Sequence, residues 1–232
     1  MYVKQLENQL IVSCQALEDE PLHSSEIMAK MALAAVQGGA KGIRANSVAD
    51  IEAIKQQVNV PIIGLIKQDY KDSDVYITPT KKEASALLDA GANIIAMDAT
   101  MRKRPENENL EEMIRFIKEQ SDDTELMADI STVEEAKRAE SLGFDCVSTT
   151  LVGYTQETAD QHIAANDFQL LREMQSVISI PVIAEGKVST PETALAALRN
   201  GAFFVVVGSA ITRPQLITET FVDEIQKYSS NH

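Results

Sequence analysis

The sequence predicts a (β/α)8 TIM barrel of the phosphate-binding type, and three observations carry that prediction. Eight short apolar runs alternate strictly with eight helical patterns along 232 residues, a length suited to a single barrel domain spanning 1–232. The strand regions also echo one another. Val58-Asn59-Val60-Pro61-Ile62-Ile63-Gly64 resembles Ile178-Ser179-Ile180-Pro181-Val182-Ile183-Ala184 at an offset of 120 residues, and Gly91-Ala92-Asn93-Ile94-Ile95 resembles Gly201-Ala202-Phe203-Phe204-Val205 at an offset of 110. Half-barrel duplication produces such an echo; an open doubly wound sheet, which strand counting alone admits, has no need of it. Finally, the last two strand regions run into glycines, where a barrel usually keeps its phosphate site.

In chain order, the strand patterns fall at 9–15, 40–46, 61–67, 93–99, 124–130, 145–151, 181–186 and 203–208. Helical patterns occupy 24–37, 47–57, 80–89, 109–119, 132–141, 166–178, 190–199 and 215–227. The seventh unit is the most explicit. Its strand ends in Ala184-Glu185-Gly186-Lys187; Thr190-Pro191-Glu192 then supplies a hydroxyl N-cap, a proline at the first helical position and an early acid. Asn200-Gly201 closes that helix with a residue suited to left-handed backbone, and the next strand ends in Gly208-Ser209. Backbone N–H groups at both glycines can approach an anion closely. The longest irregular stretches, 68–78 and 153–165, follow the third and sixth strands and could cover a substrate; Tyr70, Tyr76 and Tyr154 lie within them.

Composition narrows the function. Lys and Arg total 21 against 35 Asp and Glu, a formal charge of −14, with no basic stripe, so nucleic acid is not an expected partner. An anionic substrate must then be held by local N–H groups and a few placed cations. Cys14 and Cys146 each fall inside a strand pattern and read as packing thiols of a reducing compartment. The chain lacks a signal-peptide pattern and an apolar run long enough to span a bilayer, so a cytoplasmic protein without membrane association is expected. His23, His162 and His232 are isolated, which gives no metal-ligand constellation.

Six strands end in polar side chains: Gln15, Arg44, Lys67, Asp98, Asp129 and Glu185. Charges in such positions are costly unless paired or used, which marks them as candidates for chemistry, with ion pairing under a loop as the competing role for Asp98 and Asp129. Aligning the repeats matches Lys67 with Lys187 and Leu65 with Glu185, so Lys67 and Glu185 share one facing. Third and seventh strands oppose one another in an eight-strand ring, which would set an amine and a carboxyl across a bound molecule.

Several strings now become specific in combination: SCQAL at 13–17, GIRAN at 42–46, IGLIK at 63–67, DAT at 98–100, MADIS at 127–131, STTLVGYT at 148–155, IAEG at 183–186 and VVGSAITRP at 206–214. Together, along the whole chain, they resemble the N-acetylmannosamine-6-phosphate 2-epimerase (NanE-type) family. The resemblance implies a cofactor-independent, metal-independent sugar-phosphate isomerase of amino-sugar and sialic-acid breakdown, and it favours a homodimer.

Inversion at C2 of an N-acetylated sugar needs ring opening, removal of the C2 proton and support for the enolate. The residues expected to do this are Lys67 and Glu185, with either one as the C2 base. Gln15, Arg44 and Asp129 are expected to position the sugar, and Gly186, Lys187, Gly208, Ser209 and Arg213 to hold the phosphate. The rival readings are another phosphate-binding-barrel isomerase and a non-catalytic sugar-phosphate binder.

Overall fold

The structure, a computed structural model, describes residues 1–230, with side chains through 228; His232 lies outside them. Eight parallel strands form the sheet: β1 (Leu10–Cys14), β2 (Gly42–Asn46), β3 (Ile62–Leu65), β4 (Ile94–Asp98), β5 (Glu125–Asp129), β6 (Cys146–Ser148), β7 (Val182–Ile183) and β8 (Val205–Val207). Their order is β7-β6-β5-β4-β3-β2-β1-β8. The ring closes through a parallel bridge between Ala184 and Val205, where the Val206 amide donates to the Ala184 carbonyl at 3.0 Å. A closed ring leaves no sheet edge open to solvent or to another chain.

Eight longer helices follow the strands: α1 (Ser25–Gln37), α2 (Val48–Lys55), α3 (Lys81–Asp89), α4 (Leu110–Gln120), α5 (Val133–Leu142), α6 (Gln169–Val177), α7 (Pro191–Arg199) and α8 (Pro214–Ser230). Their starts are written in the sequence. Thr80 with Glu83, and Thr132 with Glu135, form reciprocal capping boxes, and the Thr190 hydroxyl accepts from the Thr193 amide at 3.1 Å just ahead of Pro191.

Alternation along each strand sorts side chains into two cores. Val12, Ile43, Ile95, Leu126, Val147 and Val182 face the helices, whereas Ile11, Ile63, Ile94, Met127, Cys146 and Ile183 fill the barrel interior. Short segments stop both ends of that interior. The helix Tyr2–Gln5 brings Val3, with Leu6 just beyond it, beneath the barrel, and the Tyr2 and Val3 amides donate to Glu125. Ile77 and Leu151 enter from the opposite side.

Four features depart from the expected pattern. The sixth strand stops at Ser148, three residues early, because a 3-10 turn over Thr149–Leu151 breaks the ladder. A four-residue helix, Ser209–Thr212, intervenes after β8. The 68–78 stretch folds back as a hairpin: Lys67 bridges Ile77 and the Gln68 amide donates to the Tyr76 carbonyl at 2.9 Å. With Val75, Ile77 and Thr78 buried, its returning arm packs onto the barrel, and Tyr76 and Ile77 line the cavity. Lastly, α8 makes its main contact with Ser209–Thr212 and leaves Phe221 67% exposed.

Close approach between sheet and helices is set at Gly64, where an added Cβ would lie 2.8 Å from Ala92 Cβ and 2.9 Å from Ile51 Cδ1. Ala92 Cβ has no torsion with which to move away, and Ile51 is fully buried. Gly64→Ala is therefore expected to lower stability by about 1–3 kcal/mol, read as a reduced urea midpoint with an unchanged m value.

Candidate active site

Parity puts the chemistry-bearing side chains at one end of the barrel. Asp98, Asp129 and Ser148 are the last residues of their strands, Arg44 lies two residues before the end of β2, and Lys67 and Glu185 lie two residues past Leu65 and Ile183, on the inward-facing rows. A cavity of about 380 Å³ opens there. Gln15, Arg44, Lys67 and Glu185 line one part of it; Gly186, Lys187, Gly208, Ser209 and Arg213 line another. Asp129, expected to touch a ligand, is instead fully buried behind Arg44.

Arg44 is the hub. Its side chain is buried, with Nη1 and Nη2 on the two Asp129 carboxylate oxygens at 3.1 and 2.5 Å, and Nη1 also 3.0 Å from Glu185 Oε2. One guanidinium thus serves two carboxylates. Burial pushes the Glu185 carboxyl above its ordinary range despite the opposing pull of Arg44. Two hydroxyls complete the arrangement: Thr150 Oγ1 donates to Asp129 Oδ1 at 2.7 Å, and Ser148 Oγ lies 3.1 Å from Glu185 Oε2 and 2.8 Å from Thr150 Oγ1. Thr149 Oγ1 pins the Glu185 backbone, accepting from its amide at 3.0 Å and donating to its carbonyl at 2.7 Å. Asp98, which looks equivalent in sequence, faces a different set of partners: Arg102 Nη2 at 2.5 Å, and the Thr100 amide and hydroxyl at 2.9 and 2.7 Å.

Lys67 is held by its backbone, whose amide donates to Asn46 Oδ1 at 2.8 Å, while its Nζ makes no hydrogen bond or ion pair with any described residue. Burial, followed by the Arg44 and Arg213 cations, lowers its pKa to about 8; Glu185 and Asp129 oppose this but do not reverse it. Glu185 has spent its closest contact on Arg44. Gln15, which lines the cavity, donates from Nε2 to Ser13 Oγ at 2.8 Å, and its buried Oε1 has no partner among the described residues.

The other part of the cavity is backbone-rich. Gly186 (φ 97°) and Lys187 (φ 56°) both lie in left-handed conformation, and neither amide has an acceptor among the described residues. The first N–H groups of Ser209–Thr212 lack intrahelical acceptors, as in any helix. Arg213 sits beside them, yet it is committed to Glu20, with Nε 2.8 Å from Oε1 and Nη2 donating to Oε2 at 2.9 Å. Lys187 Nζ stands 5.4 Å from the centroid of Tyr154. Sequence reasoning passed over Ser13, Glu20, Ser148 and Thr150. Inward parity from Ile11 and Cys146 could have found Ser13 and Ser148; nothing local links Glu20 to Arg213.

His23 Nδ1 contacts the Ala16 carbonyl and His162 Nδ1 accepts from the Ala164 amide, so both have loop-structuring roles. Among the described residues, no group of three or more His, Cys, Asp or Glu side chains could hold a metal ion.

Fold and site together define an enzyme of the phosphate-binding barrel class, with an amine and a carboxyl at the ends of opposed strands. Residues 28–227 match the NanE family model, described as "Putative N-acetylmannosamine-6-phosphate epimerase", and the chain belongs to that family. A relative in Shouchella clausii is 58% identical over 97% of this chain and 98% of its own length. One in Oceanobacillus iheyensis is 56% identical over 94% and 98%. Both are named "Putative N-acetylmannosamine-6-phosphate 2-epimerase". The solved structure of the N-acetylmannosamine-6-phosphate 2-epimerase from Clostridium perfringens superposes with a TM-score of 0.92 at 52% identity, covering 96% of each chain.

A lysine held near 8, against an ordinary value of 10.5, costs stability wherever it remains charged. Between these two values the folded chain binds fewer protons than the unfolded one, so the Lys67 contribution grows more favourable as pH rises through that window. Relative to the parent, Lys67→Met should gain up to about 3 kcal/mol more at pH 7 than at about pH 10.5, measured by urea unfolding at both.

Proposed function

We propose that this chain interconverts N-acetylmannosamine 6-phosphate and N-acetylglucosamine 6-phosphate by inverting C2, in amino-sugar and sialic-acid breakdown. The observation that carries the reading is the amine and carboxyl on opposed strands of one cavity, their pKa values displaced toward each other. Family membership supplies the substrate.

In the closed sugar ring the C2 proton is not acidic; it becomes so once C1 is a free aldehyde. Glu185, kept toward its acid form, donates a proton to the ring oxygen as the C1–O bond breaks, and takes up the proton released from the C1 hydroxyl. Lys67, as the neutral amine, then removes the C2 proton. Charge developing on the C1 oxygen is met by Arg44, whose buried Nε has no partner among the described residues. Glu185, on the opposed strand, returns a proton to the other face of C2. The cycle leaves one proton moved from glutamate to lysine, which exchange with water resets.

The phosphate is assigned to the amides around Gly186, Lys187, Gly208 and Ser209, with Arg213, oriented by Glu20, as the adjacent cation. Gln15 Oε1 accepts from a sugar hydroxyl or the acetamido N–H. Asp129 acts on the sugar through Arg44. The unit spanning 1–232 works as one domain.

A homodimer is supported by α8, whose Phe221, Val222 and Ile225 share one face and are 67, 42 and 66% exposed. A strip of this kind fits an interface better than open water, and a second copy presenting the same strip covers it with two-fold symmetry. A cytoplasmic location agrees with two unpaired cysteines, and no helix among the described residues is long and apolar enough to cross a membrane.

Catalysis and assembly are checked separately. Proton NMR of N-acetylmannosamine 6-phosphate with the purified protein in D2O should show the epimer with deuterium at C2; Lys67→Ala and Glu185→Gln should each lower kcat by roughly 10²–10⁴-fold. In the parent, kcat/KM should climb with pH up to about 8 as Lys67 loses its proton. An inactive parent, or a Lys67→Ala variant turning over normally, removes the reading. For assembly, light scattering after size exclusion should give a dimer that Phe221→Glu converts to monomer.

A further inference from the structure

The polar layer between β5 and β7 contains more short oxygen contacts than its hydroxyls have protons. Asp129 Oδ1, Thr150 Oγ1, Ser148 Oγ and Glu185 Oε2 form a chain with successive separations of 2.7, 2.8 and 3.1 Å. Three hydrogen bonds need three protons, and the two hydroxyls provide two. The Thr150 proton belongs to Asp129, since the carboxylate beside it is already the acceptor of both Arg44 Nη groups. If Ser148 also donated outward, to Glu185, two hydroxyl oxygens would face each other at 2.8 Å with no proton between them. That is a repulsive contact in a place where Ser148 and Asp129 are fully buried and only the Thr150 side borders the cavity.

Charge counting leads the same way. The charged groups facing Glu185 are Arg44 from β2, Asp129 from β5 and Lys67 beyond β3. Two cations and two carboxylates sum to zero, and so does the arrangement in which the Lys67 proton has moved to Glu185. The second arrangement leaves only the Arg44–Asp129 pair charged, which lowers the cost of burial.

We propose that Ser148 and Thr150 form a directional two-hydroxyl chain that holds a proton on Glu185, with Glu185 donating to Ser148, Ser148 to Thr150 and Thr150 to Asp129. The chain readies Glu185 as an acid, while Lys67 becomes the free amine as pH rises through about 8. Ser148 and Thr150 are positioning residues. When Glu185 gives its proton to a ligand, the Ser148 O–H turns from Thr150 to the new carboxylate, and it turns back when a proton returns; no other bond changes. The consequence for turnover rests on the proposed epimerase reaction, whereas the protonation itself is a property of the free protein.

The direction of the chain sets the sign of its test. A hydroxyl that merely donated to ionised Glu185 would, on removal, raise the glutamate's titration midpoint. Removing an acceptor of the Glu185 proton lowers it. Removing the Thr150 hydroxyl lowers it too, because Ser148 is then released to donate to the carboxylate. Infrared difference spectra of the substrate-free protein, parent minus Glu185→Gln at neutral pH, should contain a protonated-carboxyl C=O band. Its titration midpoint should fall by about one unit or more in Ser148→Ala and in Thr150→Val, and stay near the parent in Ser148→Thr. Ionised-carboxylate bands alone in the parent spectrum, an upward shift in either hydroxyl-less variant, or no shift in both overturns the proposal. The parent spectrum and Thr150→Val decide the matter even if Ser148→Ala fails to fold. Since no substrate is present, a negative result here is distinct from a negative epimerase assay.

Discussion

One buried guanidinium organises the upper half of this barrel. Arg44 is among the largest fully buried side chains in the molecule and stands where an aliphatic residue would otherwise complete the interior packing. Removing a charge from water is affordable only with close partners, and Asp129 meets that need with two hydrogen bonds in fork geometry. The pairing has consequences beyond its own stability. It draws Glu185 to the remaining face of the guanidinium, and so denies Lys67 the counterion that would otherwise hold its proton. Burial lowers the lysine's pKa, and the Arg44 cation adds to it, so the satisfied arginine leaves that shift unopposed by a close counterion.

This layer stands on an apolar floor. Below Arg44 and Asp129 the interior is filled by Ile11, Ile63, Ile94, Met127 and Phe204, and the Tyr2–Gln5 helix stops the far end. Water can reach the charged groups from one side only, which keeps the effective dielectric low where proton transfer is proposed. The hairpin after β3 strengthens the effect. By bridging Lys67 to Ile77 it places apolar side chains beside the amine, and burial is the leading cause of the lysine's shift. A mobile cover could not sustain that shift while open.

Much of this was legible in the sequence because strand parity is a strict two-residue rule. Apolar runs ending in Gln15, Arg44, Lys67, Asp129 and Glu185 announced a polar layer, and the repeat at 120 residues set Lys67 and Glu185 on opposed strands. What parity does not convey is who partners whom. Asp98 has the same local signature as Asp129, yet Arg102, four residues on, turns it to a structural task. Glu20 neutralises Arg213 across 193 residues of chain, beyond any local pattern. The hydroxyl chain was hidden for a different reason. Val147 through Leu151 reads as one continuous strand, since β-branched Thr149 and Thr150 suit a strand as well as the 3-10 turn that they form; the strand end therefore reads as Leu151, and Ser148 falls in its middle and not among the polar strand ends.

The acidity of the whole chain sharpens the requirement on the phosphate side. A formal charge of −14 repels an incoming phosphate at long range, so capture depends on fields that act within a few ångströms. Side-chain cations alone would serve poorly: Arg213 is half-spent on Glu20, and Lys187 leans toward the Tyr154 ring. Backbone amides are better suited, because they add donor hydrogens without a counter-charge and, fixed by Gly186 and by the opening turn of Ser209–Thr212, need little reorganisation to accept an anion. Their strength does not depend on the protonation of the catalytic layer. The proposed phosphate anchor can therefore stay constant while Lys67 and Glu185 change protonation, which a site built from titrating side chains throughout would not allow.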